Sequence, residues 1–368
     1  TGTFNAEYGR AMSGIVNVVT KDGRDSFHGS VSTHLSNFYT GNKDVFIGLK
    51  NSEVARNQDY KVQLEGPIWK DKITFFTNLR FQDNKGHING IRRFNVDDYT
   101  DFTLPNTLEQ ETPWDADIKG VRYYSEHTGD GAYVPINTNE SYSFMGKLSF
   151  RLTQDIKASY MATWNYNERP NTGHGYKYKP DGRALHRDET WMHSFQLNHL
   201  ISVKAFHDLK VSFTNNEYKY FLYEDPFDSR YVHPAYSSGA GGFSSGGQDW
   251  GHNERTLDDM NVKYDLTWQV NKRHSLKAGV LYTTHKLHNE PTNVQNALRG
   301  TPLAFYYTYN EETEKVEFFP YMTELVPDSA ISMDVYTKKP YEFSGYIQDK
   351  MEFNEMVINL GLRYDYFN

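Results

Sequence analysis
Polar and apolar side chains alternate with a period of two along most of the chain, and nothing else in the sequence limits the fold so tightly. In Ser141–Leu152, Tyr142, Phe144, Gly146, Leu148, Phe150 and Leu152 fall on one side. Ser141, Ser143, Met145, Lys147, Ser149 and Arg151 fall on the other. Segments 156–167, 260–270 and 356–367 repeat the pattern. Successive residues of a strand point to opposite faces, so each segment reads as a strand with one greasy and one wet side. About eleven such strands are expected: roughly 27–38, 58–69, 72–84, 141–152, 156–167, 190–202, 207–223, 254–270, 274–288, 341–353 and 356–367.

The connections say more. Five are short, at Lys70–Asp71, Thr153–Asp155, Val203–Phe206, Asn271–Arg273 and Asn354–Glu355. Five are long, at about 39–57, 85–140, 168–189, 224–253 and 289–340, and the two kinds alternate. In a meander, alternate connections lie at the same end. One end then carries tight turns and the other large loops, as in outer-membrane barrels. The expected fold is all-β: an antiparallel up-and-down transmembrane β-barrel. A soluble sandwich also shows alternation. The strands, however, exceed the usual length of about five or six residues. Their wet faces also carry Lys, Arg, Asp, Asn and Gln in mid-strand, as a polar lumen requires.

Composition removes other classes. Mean hydropathy is −0.75 and the longest apolar run is Leu303–Tyr307, so no helix of about 20 apolar residues is present. Barrel strands escape such a scan. Aromatics at 15% are foreign to disordered chains. The net charge of −8, without a basic stripe, argues against nucleic acid as a partner. With no cysteine, disulfides, thiolate nucleophiles and Cys-based zinc sites are excluded.

Residues 1–26 read differently. A glycine-rich turn leads into an apolar strand, Ile15–Thr20, interrupted only by Asn17. The turn Lys21-Asp22-Gly23 follows, and Phe27-His28-Gly29-Ser30 opens the first long strand. This stretch, marked by Glu7, Tyr8, Gly9, Arg10, Gly14, Asn17, Thr20, Lys21 and Gly23, resembles the plug–barrel junction of TonB-dependent outer-membrane receptors. It is especially similar to the Oar-like and SusC-like receptors that carry a carboxypeptidase-regulatory-like domain. Gly66-Pro67-Ile68 with the turn Lys70–Lys72 resembles their second strand and first periplasmic turn. Tyr341–Asp365 resembles a mid-barrel hairpin.

The resemblance implies a plugged barrel of about 22 strands. On that basis 1–26 is the C-terminal end of the plug. Residues 27–368 are the first half of the barrel, about eleven strands, open in a chain that is a fragment of something longer. It further implies the outer membrane of a Gram-negative bacterium, and proton-motive uptake of a bulky solute such as an oligosaccharide, peptide or siderophore. The implied partners are outer-membrane lipid, the solute, a surface lipoprotein, and TonB with its inner-membrane complex, reached through a segment missing from this chain. A passive porin-like channel and a soluble aromatic-rich carbohydrate-binding β protein are the alternatives. Residues 1–26 have no role in an open pore.

Candidate chemistry is sparse. His285 and His288, three apart on a strand, point to opposite faces; His193 and His199 share a face roughly 20 Å apart. No metal site is expected, and Asp97, Asp98 and Asp101 read as a solvated charge cluster rather than a Ca²⁺ loop. Gly239–Gly247 reads as a flexible loop tip, since no strand-to-helix pattern surrounds it. No nucleophile elbow occurs, so neither an enzyme nor a cofactor is expected. The best candidates for ligand contact are loop aromatics, whose flat faces suit sugars, peptides and chelates. They are Trp114, Tyr123, Tyr124, Tyr176, Tyr178, Tyr231, Tyr236, Trp250, Tyr306, Tyr307 and Tyr309.

Overall fold
The computed structural model describes residues 5–9, 19–101, 117–118, 121–122, 124–240, 242–318 and 321–368. Eleven long strands run in chain order through one antiparallel sheet: β1 (His28–Ser36), β2 (Asn57–Trp69), β3 (Ile73–Asn84), β4 (Asn139–Arg151), β5 (Ile156–Pro170), β6 (Leu185–Ser202), β7 (Ala205–Phe221), β8 (Gly251–Gln269), β9 (His274–Asn296), β10 (Tyr341–Glu352) and β11 (Val357–Phe367). Each pairs with its sequence neighbours, and β1 and β11 do not meet. The up-and-down order and the alternation of short turns with long loops are as the sequence implies.

Two strands outrun expectation. β6 begins at Leu185 rather than 190, and β9 continues to Asn296 rather than 288. The cause is tertiary. Leu287–Asn289 and Val294–Asn296 of β9 pair with two short strands, Tyr336–Lys338 and Thr323–Leu325, which raise the sheet to thirteen strands. β6 gains partners from both Arg169 and Tyr220 at its outer end.

Register separates the two faces cleanly. Phe144 lies opposite Leu79 and Trp164, and Leu148 opposite Phe75 and Tyr160. On the other face Lys147 lies opposite Met161, and Lys210 opposite Lys263. The apolar face stays open: Val31 is 77% exposed and Leu362 78%, as a lipid-facing surface should be. From Trp268 to Asp258 on β8 runs roughly 33 Å of strand at ~3.3 Å per residue. A tilt of about 40° turns that into roughly 25 Å of membrane.

A row of aromatic rings closes the outer edge of this band. Tyr60, Phe81, Tyr142, Trp164 and Trp191 follow one another across β2–β6 with ring centroids 4.9–6.3 Å apart. Several of these rings, and Tyr166 beside Trp164, donate to an acceptor two residues further outward on their own strand. Tyr142 donates to Glu140 at 2.7 Å, Tyr166 to Glu168 at 2.7 Å, Trp191 to Glu189 at 3.1 Å and Tyr60 to Gln58 at 3.0 Å. Glu189 also accepts from Trp164 of β5 at 2.7 Å.

Phe76, Ala158, Phe221 and Tyr346 are buried on the wall strands, but more of the buried apolar side chains lie outside the wall. Leu49, Phe94, Ile136, Ala184, Tyr231, Ala304 and Val316 are buried, and all lie in the long connections.

Candidate functional site
Two arrangements have functional geometry: a cap of interlocked loops at the outer end, and two N-terminal stretches, 5–9 and 19–26, that meet the polar face of the sheet.

The cap is built on three carboxylates that accept backbone N–H groups. Asp98, fully buried, accepts from Asn95 N at 2.8 Å, Thr128 N at 2.9 Å and the Thr128 hydroxyl at 2.6 Å. This corrects the solvated-cluster expectation for Asp98: the carboxylate organises its own loop. Glu126 accepts from Tyr99 N and Val316 N, both at 2.7 Å, and from the Tyr124 hydroxyl at 2.5 Å. Asp249 accepts from Ala184 N at 2.8 Å and the Tyr176 hydroxyl at 3.0 Å. Three connections therefore close onto loop 85–138: 171–184, 222–250 and 297–340. Lys315 pairs with Asp97 at 3.1 Å and Arg92 with Asp181 at 2.5 Å. The first loop joins through Arg56, 3% exposed, which donates to Asn89 at 2.5 Å.

Gly239–Gly247 departs from expectation. Its first half forms a small hairpin, Gly239–Ala240 with Phe243–Ser244, but Ser245–Gln248 is buried inside the cap. Gly246 has φ 137°, and a Cβ there would stand 2.1 Å from the Asp98 carbonyl oxygen. The glycine run lets two loops touch backbone to backbone. Lys179, 3% exposed, donates to the Gly247 carbonyl at 2.7 Å. Burial pulls its ammonium down to about 8.

Of the sequence-selected aromatics, Trp114 and Tyr123 lie outside the described residues. Tyr231 is buried, stacked on Trp250 at 5.1 Å. Tyr236 packs edge-on against Phe318 and donates to the Val316 carbonyl. Tyr178 packs on Phe243 at 4.9 Å, and Tyr124 is held by Glu126. Burial pushes the Tyr231 and Tyr236 phenols up to about 12. Tyr306 and Tyr307 differ: they are 57% and 44% exposed, beside Phe305 at 78%. Sequence reasoning missed Asp98, Glu126 and Asp249. Their only signal was a position beside turn residues, which solvated carboxylates share.

Within the junction motif, Arg10, Gly14 and Asn17 lie outside the described residues, as does most of the expected strand Ile15–Thr20. The rest touches the polar face at two places. At β9–β11, Glu7 pairs with Lys277, its N–H donates to Gln348 at 3.4 Å, and Arg363 donates to the Glu7 carbonyl at 3.1 Å. Gly9 lies against the Arg363 guanidinium, where a Cβ would stand 2.4 Å from Nε. Tyr8 is more than a third exposed. At β2–β4, Lys21 pairs with Glu65 at 2.8 Å, Asp22 with Lys147 at 2.6 Å, and Lys147 donates to Thr20 at 3.1 Å. Gly23 lies against the Phe75 backbone, where a Cβ would stand 2.2 Å from the carbonyl oxygen. Lys147 and Ser149 hold Asp22 below the usual carboxylate range against the cost of its burial. Among the described residues no three His, Asp or Glu side chains converge as a metal site.

Comparison with known proteins agrees with this architecture. Residues 102–368 match the family model described as outer membrane beta barrel domain. The TonB-dependent transporter Oar of Myxococcus xanthus is 28% identical over 178 residues, which is 44% of this chain and 14% of that protein. The outer membrane transporter YddB of Escherichia coli superposes with a TM-score of 0.60 at 13% identity, over 99% of this chain and 42% of that one. A ferric enterobactin receptor (PfeA) of Pseudomonas aeruginosa gives 0.54 at 13%, over 99% and 43%. The chain thus spans a seventh of one relative's length and about two fifths of the others'. It is homologous to a TonB-dependent transporter, its place is the outer membrane of a Gram-negative bacterium, and it belongs to the outer membrane beta barrel domain family.

Proposed function
We propose that this chain is part of a TonB-dependent transporter that takes up a bulky solute. In this reading 1–26 ends the plug and 27–368 supplies the first half of the barrel wall. The loop cap selects at the outer end and the polar faces of β2–β11 line the path. The observation that carries the reading is the N-terminal segment. It is tied by ion pairs to both flanks of the polar face, at Lys277 and at Glu65 and Lys147, a place an open pore would keep clear. TonB and its inner-membrane complex would pull on the plug, and no covalent chemistry is needed.

Among the loop aromatics singled out above, the exposed Tyr306 and Tyr307, with Phe305, would meet the solute, while Tyr231, Tyr236 and Trp250 pack the cap. The test is uptake of labelled oligosaccharide, peptide and ferric siderophore by cells carrying the protein, with and without a protonophore. One class should accumulate, and only while the proton-motive force stands. Entry that persists after its collapse would replace this reading with passive diffusion.

A further inference from the structure
A cleft of about 340 Å³ opens between the N-terminal segment and the polar face of β3–β6, at the short-turn end. Cationic cross-strand pairs recur in this sheet, but Lys61–Arg80 and Lys210–Lys263 are compensated by Asp59 and Asp265, and the pair on the cleft floor is not. Arg151 of β4 and Lys157 of β5 are direct cross-strand partners, and both line the cleft. Like charges directly opposite each other destabilise a sheet. Of the other cations lining the cleft, Lys147 pairs with Asp22 at 2.6 Å, Arg24 with Glu65 at 3.3 Å, and Lys72 lies over the Trp69 ring. Arg151 and Lys157 have no carboxylate within ion-pair distance among the described residues, and Arg151 reaches only the Asp71 backbone carbonyl at 3.3 Å.

The surroundings complete the site. One step along the same two strands stands Ser159, opposite Ser149, whose hydroxyl donates to Asp22, and Gln196 follows from β6. A guanidinium fork, an ammonium and neutral donors on one wall suit a compact oxyanion better than a neutral or cationic group.

We propose that Arg151 and Lys157 form a binding site for a phosphate or carboxylate group on the inner side of the barrel at its short-turn end. In the transporter reading, on which only this last step rests, the site receives the anionic group of a solute as it leaves.

Binding is tested without transport. The protein in detergent is titrated with inorganic phosphate by calorimetry, beside Arg151→Gln, Lys157→Gln, the double variant and the charge-preserving Arg151→Lys. Removing the like-charge pair should leave the double variant as heat-resistant as the parent, so it serves as its own folding control. Phosphate affinity should fall roughly tenfold or more in the double variant, and Arg151→Lys should keep most of it. Glucose 6-phosphate should compete and glucose should not, which separates recognition of the anionic group from recognition of a sugar. Equal phosphate affinity in parent and double variant, or a loss reproduced by Lys204→Gln on the adjacent turn, overturns the site. A binding site that survives in a protein whose uptake ignores the protonophore would refute the transporter reading alone.

Discussion

Lys179 makes the loop cap sensitive to alkali in an unusual direction. Its ammonium is buried, with one hydrogen bond to the Gly247 carbonyl, and its pKa falls from 10.5 to about 8. In the opened cap the group returns toward 10.5. Below pH 8 both forms are protonated and the closed cap bears the full cost of a buried cation. Between 8 and 10.5 the open form binds more protons, so closing becomes more favourable as pH rises. The gain from pH 7.5 to 9 is about 1.2 kcal/mol, close to eightfold in the closing equilibrium. Above pH 10 the buried tyrosines reverse the trend, because their raised values favour the neutral phenol in the closed cap.

The chain has no cysteine, so Ser245→Cys, near-isosteric and 4% exposed, gives a single reporter beside Gly247. Maleimide labelling, divided at each pH by the rate in urea, yields the protection factor. It should rise about eightfold from pH 7.5 to 9 and stay flat in Lys179→Met. A flat profile in the parent, or an equal rise in Lys179→Met, would refute the argument.

Four further outcomes are expected. Leu148→Arg, on the apolar face, should cost about 2–4 kcal/mol in urea titrations from lipid vesicles, and Met161→Gln on the polar face well under half of that. Gly246→Ala should open the cap to trypsin at a cost of about 2 kcal/mol or more, because its Cβ meets the Asp98 carbonyl. Gly242→Ala, with φ 83° but open space around it, should cost only about 1 kcal/mol. An epitope inserted at Glu312 should label on intact cells, and one at Lys272 only after the outer membrane is breached.

The wall was legible because a period of two, sustained over long strands, has one solution once the turns alternate short and long. All eleven strands lie where the alternation put them. β9 runs longer because its outer end is held by short partners that carry no alternation of their own, such as Tyr336–Lys338, and β6 because β5 and β7 flank it on both sides. The cap was not legible. Asp98 and Glu126 look like surface carboxylates, and what buries them is the meeting of loops far apart in sequence, as Thr100 meets Ser245. Gly246 was read as slack for the same reason: the backbone it approaches lies in another loop. Aromatic content pointed to the loops, but only packing separates Tyr231, inside, from Tyr306, outside.

The outward acceptors of the aromatic row bear on how the sheet avoids misalignment. A one-residue slip between strands exchanges their faces and is rejected by the lipid itself. A slip by two residues is the dangerous error, because every side chain keeps its face. In β4 such a slip inward would carry Glu140 to the level of Tyr142, below the layer where water can solvate a carboxylate, and the same holds for Glu168 and Glu189. Glu189 adds a second check, since it is shared by Trp164 of β5 and Trp191 of β6 and can serve both only when the two strands are aligned. The row therefore proofreads, strand by strand, the one mistake that hydrophobic alternation leaves undetected.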